Sequence, residues 1–468
     1  MLLRTSSKRC QEKHEHFALA SLGYDCLRCW PGDAGVCRFA PCSYSPSGPW
    51  MPACSRANSP SRHREVAGRV AQSLGSLGVG EMLGYVAVVA AVLLIAALGV
   101  VAIYLLRQWR RSRGKVPEDV REIWELTKAI ERDPRNADAY YQRGLIYGER
   151  GAYEQAIRDY SRAIELKPDF SLAYIDRGVA WGESGQLRKE IEDQSKAIEL
   201  DPEDPLPYTN RGVAYRNLGQ YEQAIRDHSR ALELDREYTL AYVNRGVAYN
   251  EKGDLENASA DYNRALELSP EHALAYVNRG KNYIDLGDYE KAIADCNRAI
   301  ELVVDDPLPY TNRGVARDSL GQHELAIEDH IRALELDPCF SLAYVNRGVA
   351  YANLGRYSQA VQDYDQAIEL EPSSERAYLN RGVAYLELGL PKKAMEDCRT
   401  AVKLGPTDAA AHYNLACAYS LLKRGREAVQ ALERAIVLEP SLREEATVDE
   451  DFDNIREDEG FARLLMGL

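Results

Sequence analysis

Apolar, small and polar positions recur along the last three-quarters of the chain on a period of 34 residues. Ala stands at 129, 163, 197, 231, 265, 299, 333, 367, 401 and 435, without slippage. Gly recurs in step at 144, 178, 212, 246, 280, 314, 348 and 382. Counting units from Ala137 gives nine, ending at residue 442. Within a unit, two stretches carry apolar residues at helical spacing, such as Ala139–Arg150 and Glu154–Lys167. A second Gly separates them (Gly151, Gly185, Gly219 and their successors), and Pro follows the second stretch at Pro168, Pro202, Pro270 and four later places. Gly ends a helix and Pro cannot continue one, so each unit predicts a helix–turn–helix. Such a period means units that cannot bury their faces alone and must stack.

The small residues have a packing reason. Gly at unit position 8 and Ala at positions 20 and 27 let two helix backbones approach closely, and a larger residue there would overpack at ~1–3 kcal/mol. Glu190 breaks the rule at position 20 and predicts a looser second unit. Tyr occupies position 4 in eight units, Tyr140 to Tyr378, with His412 in the ninth. Tyr-x-x-x-Gly-x-x-Tyr, then Ala, then Ala-x-x-x-x-Pro on this period resembles the tetratricopeptide repeat family, over residues 137–442. The resemblance implies an all-α, right-handed superhelix, an α-solenoid whose concave face is lined by first helices and binds peptides or proteins. Residues 117–136, with Trp124, Leu126, Ala129 and Ile130, match a second helix in phase and predict an N-terminal capping half-repeat. Residues 443–468 are acidic and carry an apolar face (Phe452, Ile455, Phe461, Leu464, Leu465) that predicts a C-terminal capping helix.

The nine copies can be compared with one another. Position 7 is Arg in eight: Arg143, Arg177, Arg211, Arg245, Arg279, Arg313, Arg347 and Arg381. Position 23 is Asp in the same eight: Asp159, Asp193, Asp227, Asp261, Asp295, Asp329, Asp363 and Asp397. Both vanish together in the ninth, as Leu415 and Ala431. Joint loss predicts an ion pair between the two helices of one unit, with a structural role. Were each Asp paired with the next unit's Arg, Asp397 would face Leu415.

Position 6 is Asn in seven units: Asn210, Asn244, Asn278, Asn312, Asn346, Asn380 and Asn414, with Gln142 and Asp176 in the first two. Asn forms helices poorly, and its amide offers donors and an acceptor that suit a peptide backbone. In tetratricopeptide superhelices a comparable Asn ladder grips an extended chain, so the resemblance makes these seven the expected peptide-binding groove. Descent is the competing account. The units beginning at Pro205 and Pro307 match at 24 of 34 positions, so a three-unit block has duplicated. Position 5 (Thr209, Val243, Val277, Thr311, Val345) and position 9 (Val213, Val247, Val315, Val349, Val383, with Lys281) read as apolar groove positions. Position 13 reads as an acidic rim: Glu149, Glu183, Glu251, Asp285, Glu387. The Lys/Arg cluster with which chaperone-tail-binding members of the family hold a terminal carboxylate has no counterpart.

Charge separates the ends of the chain. Its net charge of −14 divides into +9 for residues 1–116 and −23 for the remainder, which argues against a nucleic-acid partner for the array. Met82–Leu106 holds no charge over 25 residues, long enough as a helix for a ~30 Å hydrocarbon core, so an uncleaved transmembrane helix is expected at 82–106. Arg107, Arg110, Arg111, Arg113 and Lys115 make 107–116 a basic juxtamembrane linker. By the positive-inside rule they place the repeats in the cytoplasm and set basic groups against anionic lipid. Residues 1–81 show no periodicity and hold six of the ten cysteines. A disordered tail, a zinc site from Cys26, Cys29, Cys37 and Cys42, and translation starting at Met82 all fit; the spacing of the last two cysteines is not a common zinc spacing.

No phosphate-binding loop, zinc-protease helix or nucleophile elbow occurs, and the eight His are scattered. The expected function is therefore non-enzymatic, without cofactor or metal. It is a membrane-anchored scaffold that docks neutral or basic protein segments in its groove and assembles complexes. A membrane targeting or import-type receptor and an extracytoplasmic assembly factor are the alternative readings.

Overall fold

The computed structural model describes residues 118–467. The expected membrane helix at 82–106, the basic linker at 107–116 and the cysteine-rich segment at 1–81 lie outside the described residues. Among the described residues no helix is long and apolar enough to cross a membrane. The described residues fall in two units of the fold. One contributes a single helix, Glu118–Arg132, which buries Ile130 and leaves Trp124 exposed. The other runs from Arg135 and contains the repeats.

Nine helix pairs follow at the predicted period, from Ala137–Glu149 with Tyr153–Leu166 to Ala409–Leu421 with Gly425–Leu438. No strand occurs among the described residues. Asp204, Asp306 and Asp408 cap first helices by accepting backbone N–H groups. The Gly between paired helices takes the left-handed conformation its role demands, with φ +68° at Gly151 and +88° at Gly253. Lys423 holds this conformation in the ninth unit at φ 57°, at a cost of ~1 kcal/mol relative to Gly.

Each helix packs on its partner, on the adjoining helix of the next unit and, for first helices, on the first helix of the next unit. Successive second helices make no comparable contact among the described residues. A stack in which one helix row is drawn closer bends toward that row, so the first helices line its inner side.

The close approach within a unit occurs at position 8. The side chain at position 24 covers that Gly so closely that a Cβ on Gly246 would meet the Tyr262 ring at 2.6 Å. Ala at position 27 is fully buried in all nine units. In the second unit Glu190 is fully buried at position 20 with its carboxylate over Gly182, and the helix pair keeps its usual length. The C-terminus corrects one expectation. In place of one capping helix, residues 442–466 form Leu442–Val448, a 3-10 turn Glu450–Ile455 and Glu459–Met466. Asp449 and Asp458 each accept backbone N–H groups and start a new element. Phe452, Ile455 and Phe461 are buried against the ninth unit's core.

Position 24 is not uniform: Tyr in units one, four and seven, His228 and His330 in the duplicated third and sixth. Both His rings are fully buried over Gly212 and Gly314, and neither ring nitrogen has a hydrogen-bond partner. Burial, with Arg216 and Arg245 near one ring and Arg347 near the other, pushes both pKa values down to about 3. Unfolded His binds a proton near pH 6.5, so these residues leave stability intact above that pH and erode it as pH falls toward 3. His228→Tyr with His330→Tyr, matching Tyr262 and Tyr364, should flatten urea-measured stability between pH 6 and 4 by up to ~2.7 kcal/mol per pH unit. An unchanged slope would exclude these rings as the cause of acid lability.

Candidate functional site

Positions 2, 6, 9 and 13 follow one another by four, three and four residues, so they share one stripe of each first helix. In unit four the stripe reads Leu240, Asn244, Val247, Glu251. First helices pack side by side, so the stripes form continuous rows on the inner side of the stack.

The Asn row is partly exposed at Asn210, Asn278, Asn312, Asn380 and Asn414, and buried at Asn244 and Asn346. Two make side-chain hydrogen bonds. Asn312 Nδ2 donates to the Val277 carbonyl of the preceding first helix at 3.5 Å, and Asn414 Nδ2 to its own Ala410 carbonyl at 3.0 Å. The other five have no hydrogen-bond partner among the described residues. Gln142 is exposed and Asp176 accepts a 2.7 Å hydrogen bond from Tyr141 Oη, so the amide row begins at unit three.

Position 5 corrects the sequence reading. Thr209, Val243, Val277, Thr311 and Val345 are buried, turned one residue away from the stripe into the packing between helices. Position 9 is half-buried at Val247, Val315, Val349 and Val383 and buried at Val213. Glu149, Glu251, Asp285 and Glu387 are exposed at position 13. Glu183 accepts from Tyr153 Oη at 3.2 Å, and burial raises its pKa. Sequence reasoning missed position 2, where Leu172, Leu206, Leu240, Leu274, Leu308 and Leu342 stand in six successive units. Leu172 is 49% and Leu342 42% exposed, and the others are half-buried. The signal lay in the same phase analysis, as an apolar residue four before Asn.

Behind the stripe sits a row of forks. Each Arg at position 7 donates through Nε and Nη2 to the Asp sixteen residues on, as Arg279 does to Asp295 at 2.7 Å twice. The same fork joins Arg143 to Asp159, Arg177 to Asp193, Arg211 to Asp227 and Arg245 to Asp261. It recurs from Arg347 to Asp363 and Arg381 to Asp397. Arg313 shares Asp329 with Arg317, whose Nη1 donates at 2.8 Å. Most of the guanidiniums lie between two aromatic rings, as Arg279 lies 5.5 Å from Tyr276 and 5.8 Å from Tyr283, which explains the Tyr at position 4. Burial alone would lower the Arg279 pKa, but the Asp295 hydrogen bond and charge outweigh it and leave it raised.

The third guanidinium nitrogen was not legible beforehand. Nη1 donates to position 25 of the preceding unit: Arg177 to Ser161, Arg211 to Ser195, Arg245 to Ser229, Arg279 to Asn263, Arg313 to Asn297 and Arg381 to Asp365. One residue thus ties two helices of its own unit and the unit before it. Ile331 supplies no acceptor to Arg347, and Arg399 precedes Leu415. Leu415 and Ala431 are buried together in the last core, so an apolar contact replaces the fork there.

Arg279→Leu and Asp295→Ala should each destabilise unit five, by up to ~3–5 kcal/mol for a buried orphaned partner. The ninth unit's combination, Arg279→Leu with Asp295→Ala, should cost at least ~1 kcal/mol less than the sum. Native-state hydrogen exchange of the amides in Ala273–Asp285 reads this locally, and strictly additive losses would show that the fork contributes no coupling.

Tetratricopeptide repeat models match residues 137–170, 205–238, 239–272, 273–303 and 375–408, and further models of the repeat match 309–338, 332–362, 350–389 and 409–442. Among solved structures, the chain resembles the APC/C hetero-tetramer Cut9-Hcn1 at 19% identity and TM-score 0.49, over 62% of this chain and 57% of that one. A tetratricopeptide repeat protein from Parabacteroides merdae matches at 23% identity and TM-score 0.45, over 52% of this chain and 97% of that one. YrrB, described as a TPR protein with an unusual peptide-binding site, matches at 28% identity and TM-score 0.32, over 40% of this chain and 96% of its own. No curated protein matches the chain.

Proposed function

We propose that this chain, which belongs to the tetratricopeptide repeat family, is a non-enzymatic scaffold that holds protein segments on the inner face of its array. The fold is typical of protein–protein interaction and complex assembly. The observation that carries the reading is the row of Asn amides from Asn210 to Asn380, most of them without an internal hydrogen-bond partner. An amide left unsatisfied by its own protein has both donors and an acceptor to offer a passing backbone. Exposed acids at position 13 disfavour acidic chains and favour neutral or basic ones.

Membrane anchoring belongs to the same proposal and rests on the sequence. Met82–Leu106 is the anchor, Arg107–Lys115 meets anionic lipid, and the array faces the cytoplasm. A targeting or import-type receptor is the second reading. Against it stands the stripe itself, whose basic residues are Lys281 and Arg376, three units apart, with no cluster to clamp a terminal carboxylate. An extracytoplasmic assembly factor would need the opposite orientation. Protease treatment of intact cells separates the two: a protected array supports the cytoplasmic orientation, and digestion from outside rejects it.

Replacing Asn244, Asn278 and Asn312 by Ala should leave helix content unchanged, because Ala is the better helix former. At ~1 kcal/mol per lost hydrogen bond, capture of partners from membranes should fall at least ~10-fold. Undiminished capture by the triple variant would place binding on another face.

A further inference from the structure

The repeating stripe does more than offer amides: its spacing selects a ligand conformation. Five successive units, three to seven, carry Leu at position 2 and Asn at position 6. Their first helices touch one another, so equivalent positions recur every ~8–10 Å. A bound chain that meets equivalent subsites must bring equivalent residues round at that interval and on one side.

Three conformations can be compared. A β-strand returns a side chain to the same face every second residue, ~6.6 Å, or every fourth, ~13 Å, and neither matches. An α-helix returns after seven residues, ~10.5 Å, which fits the interval, but its backbone groups are bonded internally and give the Asn row nothing to hold. Polyproline II has three residues per turn and ~3.1 Å rise, so every third residue falls on one edge at ~9.3 Å, with all backbone N–H and C=O groups free. It alone satisfies the spacing and the amide row.

One subsite differs. Units three, four, six and seven place Val at position 9, and unit five places Lys281 there. The Lys281 side chain is 55% exposed and pairs with Asp285 at 2.6 Å, a surface contact that a ligand carboxylate can replace. Val213 in unit three is buried, so that subsite is offered by Leu206. The order is therefore apolar, apolar, cation, apolar, apolar. It reads the same from either end.

Resting on the groove reading above, we infer that units three to seven bind a protein segment in the polyproline II conformation. The segment has an apolar residue at every third position and an acidic residue in the middle of five such positions. Thirteen residues span it: the first, fourth, tenth and thirteenth are apolar, the seventh is acidic, and the polar residues between include enough basic ones to keep the segment neutral or basic overall, as the acidic row at position 13 requires.

The test is fluorescence anisotropy of the full chain in detergent micelles with labelled 29-residue peptides, the first three of one composition. The first peptide has glutamate at its centre and leucine three and six residues to either side of it. Two controls move the same leucines to two-residue and seven-residue spacing about the glutamate. A fourth peptide carries lysine in place of the central glutamate. The three-residue peptide should bind at least ~10-fold tighter than either respaced peptide. The central lysine should weaken binding several-fold, and Lys281→Glu, an exposed substitution checked by circular dichroism, should reverse that preference. Equal or tighter binding of a respaced peptide overturns the conformation, and tighter binding at seven-residue spacing assigns the groove to a helix. A preference for the central glutamate that survives Lys281→Glu overturns the central subsite. No binding of any peptide overturns the motif, and the groove reading then stands or falls on the Asn244, Asn278, Asn312 variant in partner capture. Three-residue binding that this variant leaves unchanged sinks the groove reading.

Discussion

Two helices can lie against each other almost backbone to backbone only where one of them has no side chain in the way. In this array that place is position 8, where Gly lets the ring, thiol or amide at position 24 rest on the helix itself. Ala at positions 20 and 27 keeps the rest of the seam thin, and every Ala at position 27 is fully buried. From that closeness follows the reach of one Arg side chain. Across a wider gap the guanidinium of position 7 could not make two bonds to the carboxylate at position 23 of its own unit and a third to the unit before. Close packing sets the register, and the fork then fixes it with directional bonds.

The forks also explain why the inner face can carry amides without internal partners. Stability within a unit comes from buried Ala, aromatic rings and the Arg–Asp pair, which lie behind the stripe. The stripe residues are thereby released from structural duty in most units, and Asn, a mediocre helix former, can stand there seven times. Where the array stops, the logic changes: Leu415, Ala431 and the aromatic residues of the C-terminal elements join one apolar core.

Much of this was legible in the sequence because a repeat supplies its own comparison. The period set out the helix pairs, and the joint loss of Arg and Asp in the ninth unit pointed to a contact within a unit, which is the contact the structure contains. What stayed hidden depended on direction. Position 5 and position 6 are neighbours in sequence, yet one turns into the packing and the other to the open face, and apolarity alone did not distinguish them. The acceptor at position 25 was hidden for a different reason. Ser, Asn and Asp look unrelated as a column, and share only an oxygen within reach of the next unit's Arg. The C-terminal segment was read as one helix because its apolar residues suggested one face, while two Asp caps interrupt it.

The acceptor at position 25 has a consequence for how such an array can change length. Ser, Asn and Asp all receive the incoming guanidinium, so most junctions are interchangeable, and whole units can be gained or lost at those junctions with the joint still made. The three-unit duplication is a change of that kind. Arg399 closes this freedom at one end. Any Arg-bearing unit placed after the eighth would bring two guanidiniums face to face, whereas the ninth unit presents Leu415 to it. The array thus admits added units at its middle junctions, while the junction after the eighth admits only a unit that lacks the Arg at position 7.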